Sequence, residues 1–186
     1  MTRRLPVAGA VLTGGASRRM GTDKALIEVR GRAMALVVAE ALGGAGCEPV
    51  WCQGGDEVAL SALGLDVVGD EQPGEGPLVA TLSALRRAGG EVVVAACDLP
   101  ELDAAAVAAI LAPSLAGRHV AVAVAGGRRH LLARWSPSAT EPLDALVGRG
   151  VRSYMAALDR LDVVEVALDP AVVVNLNEPG QAAEYR

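Results

Sequence analysis

The stretch "VAGAVLTGGASRRMGTDKAL", residues 7–26, contains a short apolar run, a pair of glycines and a loop rich in basic residues. The apolar run at 7–12 has the length and flanks of a strand that is buried on both faces. Glycine lets a main chain approach a ligand closely, and Arg and Lys neutralise anionic oxygens. The stretch therefore predicts a first buried strand that leads into a turn suited to a phosphate-bearing ligand.

Positive charge is concentrated around this turn. The chain has 186 residues and a formal net charge of −5, yet the segment 18–32 holds five basic and two acidic residues. The basic residues are Arg18, Arg19, Lys24, Arg30 and Arg32, and the acidic residues are Asp23 and Glu28. On charge alone, a solvated basic face and a local anion site explain the segment equally well. The negative balance argues against a broad DNA or RNA surface, and an aromatic content of 2% without Phe excludes a base-stacking surface.

Apolar runs of strand length alternate with Ala- and Leu-rich segments as far as residue 125. Further strands are predicted at 49–52, 65–68, 91–97 and 119–125, and helices at 33–44, 77–90 and 102–117. Asp103 is well placed to cap the third of these helices. This alternation predicts an α/β fold with a mainly parallel sheet.

The pattern changes after residue 126. Gly126 and Gly127 predict a tight hairpin turn into an antiparallel strand at 128–136. Helices are predicted around 139–148 and 151–160, followed by two last strands in "VVEVAL" and "AVVVNL". Because the sequence contains no linker, repeat or low-complexity tract, residues 1–186 are predicted to form a single domain.

The glycine turn matches neither common nucleotide motif. Walker A requires Lys and Ser or Thr after the second glycine, but the fifth residue after Gly14 is Arg19 and the fifth after Gly15 is Met20. The dinucleotide fingerprint fails as well, because Ala16 stands two residues after Gly14. What remains is a loop at the carboxyl end of a strand, where backbone N–H groups, Arg19 and Lys24 could hold a triphosphate.

Asp98 directly follows the strand predicted at 91–97. The carboxyl ends of parallel strands meet at one edge of a sheet, so Asp98 is expected on the same edge as the glycine turn. One carboxylate, together with triphosphate oxygens and waters, is a normal way to hold Mg²⁺. The alternative is that Asp98 only caps the next turn. Its pairing with the glycine loop favours a metal site.

Cys47, Cys52 and Cys97 are odd in number and lack a C-x-x-C spacing, so neither a zinc site nor a disulfide framework is predicted. The sequence contains no apolar run that approaches the ~20 residues of a membrane span. The start of the chain superficially resembles a signal peptide, but its apolar run is short and is broken by Pro6 and Gly9. These features predict reduced thiols in a cytoplasmic protein without membrane or nucleic-acid partners.

Several motifs together resemble molybdenum cofactor guanylyltransferase. They are Leu-x-Gly-Gly-x-x-x-Arg-Met-Gly-x-Asp-Lys at 12–24, "GRAMALVVAEAL" at 31–42, "GEGPLVATLSAL" at 74–85 and "VVVNLNEP" at 172–179. The resemblance implies a three-layer, Rossmann-like nucleotidyltransferase fold of the GT-A type. It also implies transfer of GMP from Mg-GTP to the terminal phosphate of molybdopterin, with release of pyrophosphate. A labile product of this kind makes a cofactor-delivery protein or a client molybdoenzyme a plausible partner.

The resemblance also implies roles for individual residues. Leu12, Thr13 and Gly14 would line the nucleotide with main-chain groups, and Gly15 would allow close approach. Lys24 would contact phosphate, Asp70 would belong to the nucleotide site, and Asp98 would hold Mg²⁺. Arg19, Asn175 and Asn177 would bind the acceptor, with Arg19 directed at the phosphates near the scissile bond. Arg19, Lys24 and Asp98 are thus the predicted catalytic residues.

Three departures from the family pattern keep other functions open. Cys52 or Gln53 replaces an Asn after the second strand, His130 is followed by Leu rather than Pro, and Glu178 replaces Thr. One alternative is a related nucleotidyltransferase that uses CTP or another phosphorylated acceptor. The other is a catalytically silent relative that binds the cofactor. Four of the remaining side chains are predicted to be structural: Cys97, His119, Trp51 and Trp135. A structural role is also favoured for His130, by a smaller margin. Arg152 is a weaker candidate for contact with a substrate phosphate.

Overall fold

The computed structural model describes residues 6–14 and 23–176. Nine strands are present in these ranges: Ala8–Leu12 (β1), Glu28–Val29 (β2), Arg32–Ala33 (β3), Val50–Gln53 (β4), Val67–Val68 (β5), Val92–Ala96 (β6), Val120–Ala125 (β7), Arg128–Trp135 (β8) and Val163–Ala167 (β9). Six α-helices accompany them: Met34–Gly44 (α1), Glu57–Ala62 (α2), Pro77–Ala88 (α3), Ala104–Leu111 (α4), Thr140–Gly148 (α5) and Tyr154–Leu158 (α6).

Seven of the described strands form one sheet in the order β5-β4-β1-β6-β8-β7-β9. The pairings β5–β4, β4–β1, β1–β6 and β7–β9 are parallel, whereas β8 runs antiparallel to both β6 and β7. The predicted mostly parallel sheet with an antiparallel strand in the C-terminal half is confirmed. Gly126 and Gly127 have φ values of 55° and 73°, the conformation that a tight hairpin between β7 and β8 requires.

Helices cover both faces of this sheet, because successive strand residues point to opposite sides. Val11 and Val93 pack with α1, α4 and Leu60 of α2 on one face. Leu12 and Val94 pack with α3, α5 and α6 on the other face. The three layers that the family resemblance implies are therefore present. Since the described residues contain no Phe, the core consists mainly of Val, Leu and Ala, with Trp135 as its largest fully buried side chain.

Local signals explain several element boundaries. Asp103 accepts a hydrogen bond from the backbone N–H of Ala106 at 2.8 Å, as predicted for the cap of α4. Gly89 ends α3 in the left-handed conformation at φ 59°, where glycine is favoured. No helix in the described ranges has the length and hydropathy needed to cross a bilayer.

The prediction of a strand in "AVVVNL" is wrong. Residues Pro170–Val173 form a 3-10 helix, and the chain continues to Leu176 without regular structure. The Asp169 carboxylate accepts a hydrogen bond from the N–H of Ala171 at 2.8 Å, and Pro170 has no N–H to donate to a neighbouring strand. The local cap therefore overrides the β propensity of the three valines.

Candidate active site

Three strands end together at one edge of the sheet. Leu12 of β1 is in register with Gln53 of β4 on one side and with Ala96 of β6 on the other. The segments that follow these strand ends, 13–14, 54–55 and 97–98, therefore leave the sheet side by side. This is the edge at which open α/β sheets bind their ligands.

A cleft of about 340 Å³ lies at this edge. Six predicted site residues line it: Leu12, Thr13, Gly14, Lys24, Asp70 and Asp98. The remaining lining residues are Asp23, Gly55, Gly74, Gly76, Pro77, Ala80, Ala96, Cys97 and Leu131. Residues that are far apart in the sequence are thus brought to one cavity by the strand register.

The turn after β1 packs directly against the turn after β4. The backbone N–H groups of Thr13 and Gly14 both donate to the Gln53 carbonyl oxygen, at 3.2 and 3.0 Å, and the Thr13 hydroxyl donates to the Gly54 carbonyl oxygen at 2.7 Å. These donors are already used within the protein. Thr13 and Gly14 therefore do not offer their N–H groups to a phosphate.

Lys24 and Asp98 form an ion pair at the floor of the cleft. The Lys24 Nζ lies 2.8 Å from Asp98 Oδ2, and the two side chains are 19% and 15% exposed. Lys24 begins a 3-10 helix, Lys24–Leu26, that is capped by the Asp23 carboxylate through the N–H of Ala25 at 3.0 Å. Ala25 is fully buried and anchors this turn. The cap and the anchor direct Lys24 towards the strand end that carries Asp98.

The C-terminal segment fixes Asp98 from the other side. The Asn175 amide nitrogen lies 3.3 Å from Asp98 Oδ1, and the N–H of Leu176 donates to the Asp98 carbonyl oxygen at 3.0 Å. Leu176 is buried against Met34 and Val29, which holds the segment in place. Asn175, predicted on the acceptor side, therefore contacts the predicted metal ligand.

Asp70 lies in the loop at 69–76, between β5 and α3. Its Oδ1 accepts a hydrogen bond from the N–H of Gln72 at 3.2 Å. Gln53, one of the two candidates for the position where the resemblance implies an Asn, is 2% exposed. Its side-chain amide accepts a hydrogen bond from Trp51 at 3.1 Å and donates to the Gly69 carbonyl oxygen at 3.3 Å. Gln53 thus supports the start of this loop and does not line the cleft.

A second cavity of about 470 Å³ adjoins the first. Leu131 lines both cavities, and Asn175 lines the second while donating to Asp98 in the first. Basic and apolar side chains share its wall: Arg128, Arg129, His130, Met155, Pro170, Val173 and Val174. Arg129 forms ion pairs with Asp159 (Nη1 to Oδ1, 2.9 Å) and with Glu165 (Nη2 to Oε1, 2.8 Å).

The remaining sequence candidates are of three kinds: residues with structural contacts, one residue of the second cavity and positions outside the described residues. The predictions for Gly15, Arg19 and Asn177 concern undescribed positions. His119 accepts a hydrogen bond from the N–H of Asp162 at 3.0 Å, and Trp51 and Trp135 are buried, as expected of structural residues. His130 lies in the second cavity, with Nε2 3.4 Å from the Ala125 carbonyl oxygen.

The oxygen ligands of the cleft fit a hard cation. Asp23, Asp70 and Asp98 supply carboxylates, whereas burial raises the pKa of the adjacent Cys97 thiol to about 12, so that it stays protonated near neutral pH. The described part of the chain contains no group of three or more His, Cys, Asp and Glu side chains that could enclose a metal ion by itself. Mg²⁺ commonly takes one or two carboxylates and completes its shell with substrate phosphates and water, which matches this ligand set.

Gly54, Gly55 and the loop at 69–76 belong to the site, and the residue pattern alone did not predict them. Gly54 and Gly55 directly follow the strand predicted at 49–52, just as Gly14 and Gly15 follow the first strand. A paired glycine after two strands that end at the same edge is the signal that would have found them. Only the family resemblance indicates the glycines of "GEGP" as part of the site.

Comparison with known proteins decides the family. Residues 9–163 match the family described as MobA-like NTP transferase domain. The chain belongs to this family. As a MobA-like protein it is a nucleotidyltransferase, and the resemblance noted in the sequence is confirmed.

Individual relatives of this MobA-like chain agree with that assignment. A protein of Mycobacterium tuberculosis strain H37Rv, named probable molybdenum cofactor guanylyltransferase, is 34% identical over 180 residues, which cover 93% of this chain and 90% of the relative. The solved structure of molybdopterin-guanine dinucleotide biosynthesis protein A from Archaeoglobus fulgidus has a TM-score of 0.72 at 24% identity, covering 96% of each chain. A manganese complex of a Mycobacterium tuberculosis protein has a TM-score of 0.70 at 17% identity, covering 97% of each chain. Both structures support the fold.

Proposed function

We propose that this MobA-like enzyme transfers GMP from GTP to the terminal phosphate of molybdopterin and releases pyrophosphate, with Mg²⁺ as its metal. The observation that carries the proposal is the Lys24–Asp98 pair, 2.8 Å apart, at the strand edge where ligands of α/β sheets bind. An ammonium and a carboxylate side by side supply one contact for phosphate and one for a cation. The names of the curated relatives support the choice of GTP and molybdopterin.

The nucleotide would occupy the cleft between the turn at 13–14 and the loop at 69–76. Leu12, Thr13 and Gly14 would contact it through main-chain atoms other than the N–H groups of Thr13 and Gly14, which donate to Gln53. Gly15 would allow close approach, and Asp70 would face it from the loop. Lys24 would donate to phosphate oxygens, and Arg19 would bind the phosphates near the scissile bond. Lys24 would exchange its ion pair with Asp98 for the phosphate oxygens, and Asp98 would then hold the metal.

The reaction needs positioning more than acid–base chemistry. The attacking phosphate is already anionic at neutral pH, so no general base has to activate it. Two polyanions must instead be held in line while charge develops on the leaving pyrophosphate. Asp98 would hold Mg²⁺, which when bound would supply positive charge against the leaving group, and the manganese complex of a structural relative supports the use of a divalent metal. Lys24 and Arg19 would neutralise the phosphate oxygens that the cation does not contact.

The acceptor would occupy the second cavity. Basic side chains there suit its phosphate, and Met155 and Val174, which are 42% and 43% exposed, suit a flat ring. Asn175 stands between the two cavities and would contact the acceptor at the same point where it contacts Asp98. Asn177 would extend this contact along the same segment.

The first test measures Mg²⁺-dependent binding of GTP, CTP, ATP and UTP by titration calorimetry. We expect selective GTP binding that weakens at least ~10-fold in Asp98→Ala, since the variant removes the metal's protein ligand. Glu101→Gln is the matched control, because Glu101 lies three residues further along the same loop, pairs with Arg30 at 2.8 Å and does not line the cleft. It should leave nucleotide affinity unchanged.

The outcomes separate the proposal from its alternatives. CTP selectivity would replace GMP transfer by cytidylyl transfer. Absence of nucleotide binding, or binding indifferent to Asp98→Ala, would favour a silent cofactor-binding relative. Where GTP binds, pyrophosphate release with molybdopterin decides the acceptor, and release no faster than the blank would contradict the proposed reaction.

A further inference from the structure

The loop at 69–76 forms one wall of the nucleotide cleft, yet it contains no helix or strand. Asp70, Gly74 and Gly76 of this loop line the cleft. Its start is fixed by the Gln53 amide, which donates to the Gly69 carbonyl oxygen at 3.3 Å. Within the loop, the N–H of Glu75 donates to the Gln72 carbonyl oxygen, also at 3.3 Å. The second half of the loop therefore needs an anchor elsewhere.

Glu75 is in a position to be that anchor. It stands between Gly74 and Gly76, whose φ values are 87° and 92°, a region that glycine adopts without strain. Because one glycine stands on each side of Glu75, the position of Glu75 decides the path of this wall of the cleft. The Glu75 carboxylate accepts a hydrogen bond from Arg152 Nε.

The Arg152 guanidinium is itself held by the main chain. Its Nη1 donates to the carbonyl oxygens of Val147 and Val151, at 2.9 and 3.2 Å. Val147 belongs to the last turn of α5, where the helix dipole favours a cation, and its carbonyl oxygen also accepts a hydrogen bond from the N–H of Gly150 at 2.9 Å. An exposed ion pair usually stabilises little, because two long side chains must be ordered. Here the arginine is already ordered, so less conformational entropy is lost when Glu75 binds.

The backbone packs in the same place. A Cβ added to Gly76 would lie 3.9 Å from the Arg152 carbonyl oxygen, which is ordinary van der Waals contact. Arg152 lines neither of the two cavities, and its guanidinium faces Glu75 and two carbonyl groups. This differs from the sequence-based suggestion that it touches a substrate phosphate.

We infer that Arg152 is a positioning residue of the nucleotide site: through Glu75 it holds the loop at 69–76 in the conformation in which Asp70, Gly74 and Gly76 face the nucleotide. The inference rests on the proposed function in that this cleft binds the nucleotide. It predicts that either partner of the pair controls nucleotide affinity without touching the nucleotide.

The test is a charge-reversal cycle on the intact protein, with Glu75→Arg, Arg152→Glu and the double variant. Hydrogen exchange at residues 70–76 reports the loop, and titration with Mg-GTP reports the site. Each single variant should speed exchange in the loop and weaken Mg-GTP binding by roughly 3- to 10-fold. The double variant should be clearly less impaired than the single variants in both measurements, since it rebuilds the ion pair in reverse, although it cannot rebuild the hydrogen bonds of Arg152 to the Val147 and Val151 carbonyls.

Arg86 and Asp144 provide the matched control. Arg86 Nη2 of α3 lies 2.7 Å from Asp144 Oδ1 of α5, and the two side chains are about as exposed as those of Glu75 and Arg152. Arg86→Asp with Asp144→Arg, singly and together, should leave loop exchange and nucleotide affinity unchanged. A general effect of surface charge would move both sets of variants equally.

Two results would overturn the inference. One is that the single variants at Glu75 and Arg152 leave loop exchange unchanged. The other is that the double variant is as impaired as the singles, which would mean that the pair itself is not the cause. The exchange measurement needs no nucleotide, so failure of GTP binding in the wild type would count against the proposed function alone. Arg152→Lys serves as the conservative variant and should recover part of the Mg-GTP affinity.

Discussion

At the scale of single residues, the site depends on a backbone contact between two turns. A Cβ added to Gly54 would lie 2.9 Å from the Gly14 Cα and 3.2 Å from the Gly14 nitrogen. Both are main-chain atoms that cannot rotate away. The φ of 77° at Gly54 is also unfavourable for any other residue. Glycine is therefore required here so that β1 and β4 can present their ends to one ligand.

Gly54→Ala should consequently impair both stability and binding. Gly64 is a matched control, because it has a φ of 81° but a Cβ added there would meet no atom within 4 Å. We expect Gly64→Ala to lower the free energy of unfolding by about 1 to 2 kcal/mol through backbone strain alone, with nucleotide affinity unchanged. Gly54→Ala should lose more than this and should weaken Mg-GTP binding, because Gly14 must shift. Urea unfolding and calorimetry measure the two effects. Equal losses in both variants would show that the contact with Gly14 is unimportant.

Lys24 offers a second test at this scale. Lys24→Met should weaken Mg-GTP binding by about 10- to 100-fold, since a charge-assisted hydrogen bond to phosphate contributes roughly 1.5 to 3 kcal/mol. Arg32→Met removes the same charge from the same basic segment, at a side chain that pairs with Glu40 and is 48% exposed. The control should change affinity by less than about threefold. Similar losses in both variants would indicate that general charge, rather than a direct contact, governs binding.

At the scale of elements, local signals decided what the sequence could predict. The buried strands β1, β6 and β7, the helices α1 and α3, and the hairpin at Gly126 and Gly127 follow from apolar runs, caps and turn residues. The strand prediction for the valines at 172–174 fails, because the cap at Asp169 and the missing N–H of Pro170 act through the backbone and not through hydropathy. Helix α2 and the short β2–β3 hairpin are not predicted from the sequence, since neither has a long periodic pattern of apolar residues.

The candidate site likewise contains residues that local sequence signals predict and residues that they do not. Asp98, Lys24 and the glycine turn could be placed at one edge because the parallel strand pattern implies where strands end. Asn175 is assigned to the acceptor by family resemblance, and its contact with Asp98 could not be foreseen from the sequence. The role of Arg152 is equally hidden, because an ion pair across 77 residues leaves no local signal.

Helix α4 depends on a buried arginine. Arg134 is 4% exposed; its Nη1 donates to the Leu111 carbonyl oxygen at 2.6 Å, and its Nη2 donates to that of Pro113. Arg134→Met leaves these carbonyls without that donor, so we expect the free energy of unfolding to fall by about 2 to 4 kcal/mol. Arg160→Met is the control, because Arg160 donates to the Ala156 carbonyl oxygen at 2.6 Å on the exposed surface. It should lose less than about 1 kcal/mol in the same urea titration. Comparable losses would mean that burial of the arginine does not matter.

At the scale of the whole molecule, three thiols share one face of the sheet. Cys47, Cys52 and Cys97 all belong to the cluster that packs with α1 and α4. Burial raises the pKa of Cys47 and of Cys52 to about 11, and that of Cys97 to about 12, from an ordinary value of 9.0. A group with a raised folded-state pKa stabilises the fold fully below its unfolded pKa, and this contribution is lost as the pH rises towards the folded pKa. The fold should therefore weaken between about pH 9 and pH 11.

A variant carrying Cys47→Ala and Cys52→Ala tests this pH dependence. Each buried thiol removes up to about 1.4 kcal/mol of stability per pH unit above pH 9, because unfolding releases a proton that the folded state retains. Between pH 8 and pH 10.5 the double variant should therefore lose about 2 to 4 kcal/mol less than wild type in urea unfolding. Val93→Ala, at a buried position in the same cluster, should lower stability by a constant amount at every pH. The same alkaline slope in wild type and in the cysteine variant would assign the effect to other groups, such as Tyr154, whose pKa is also raised by burial.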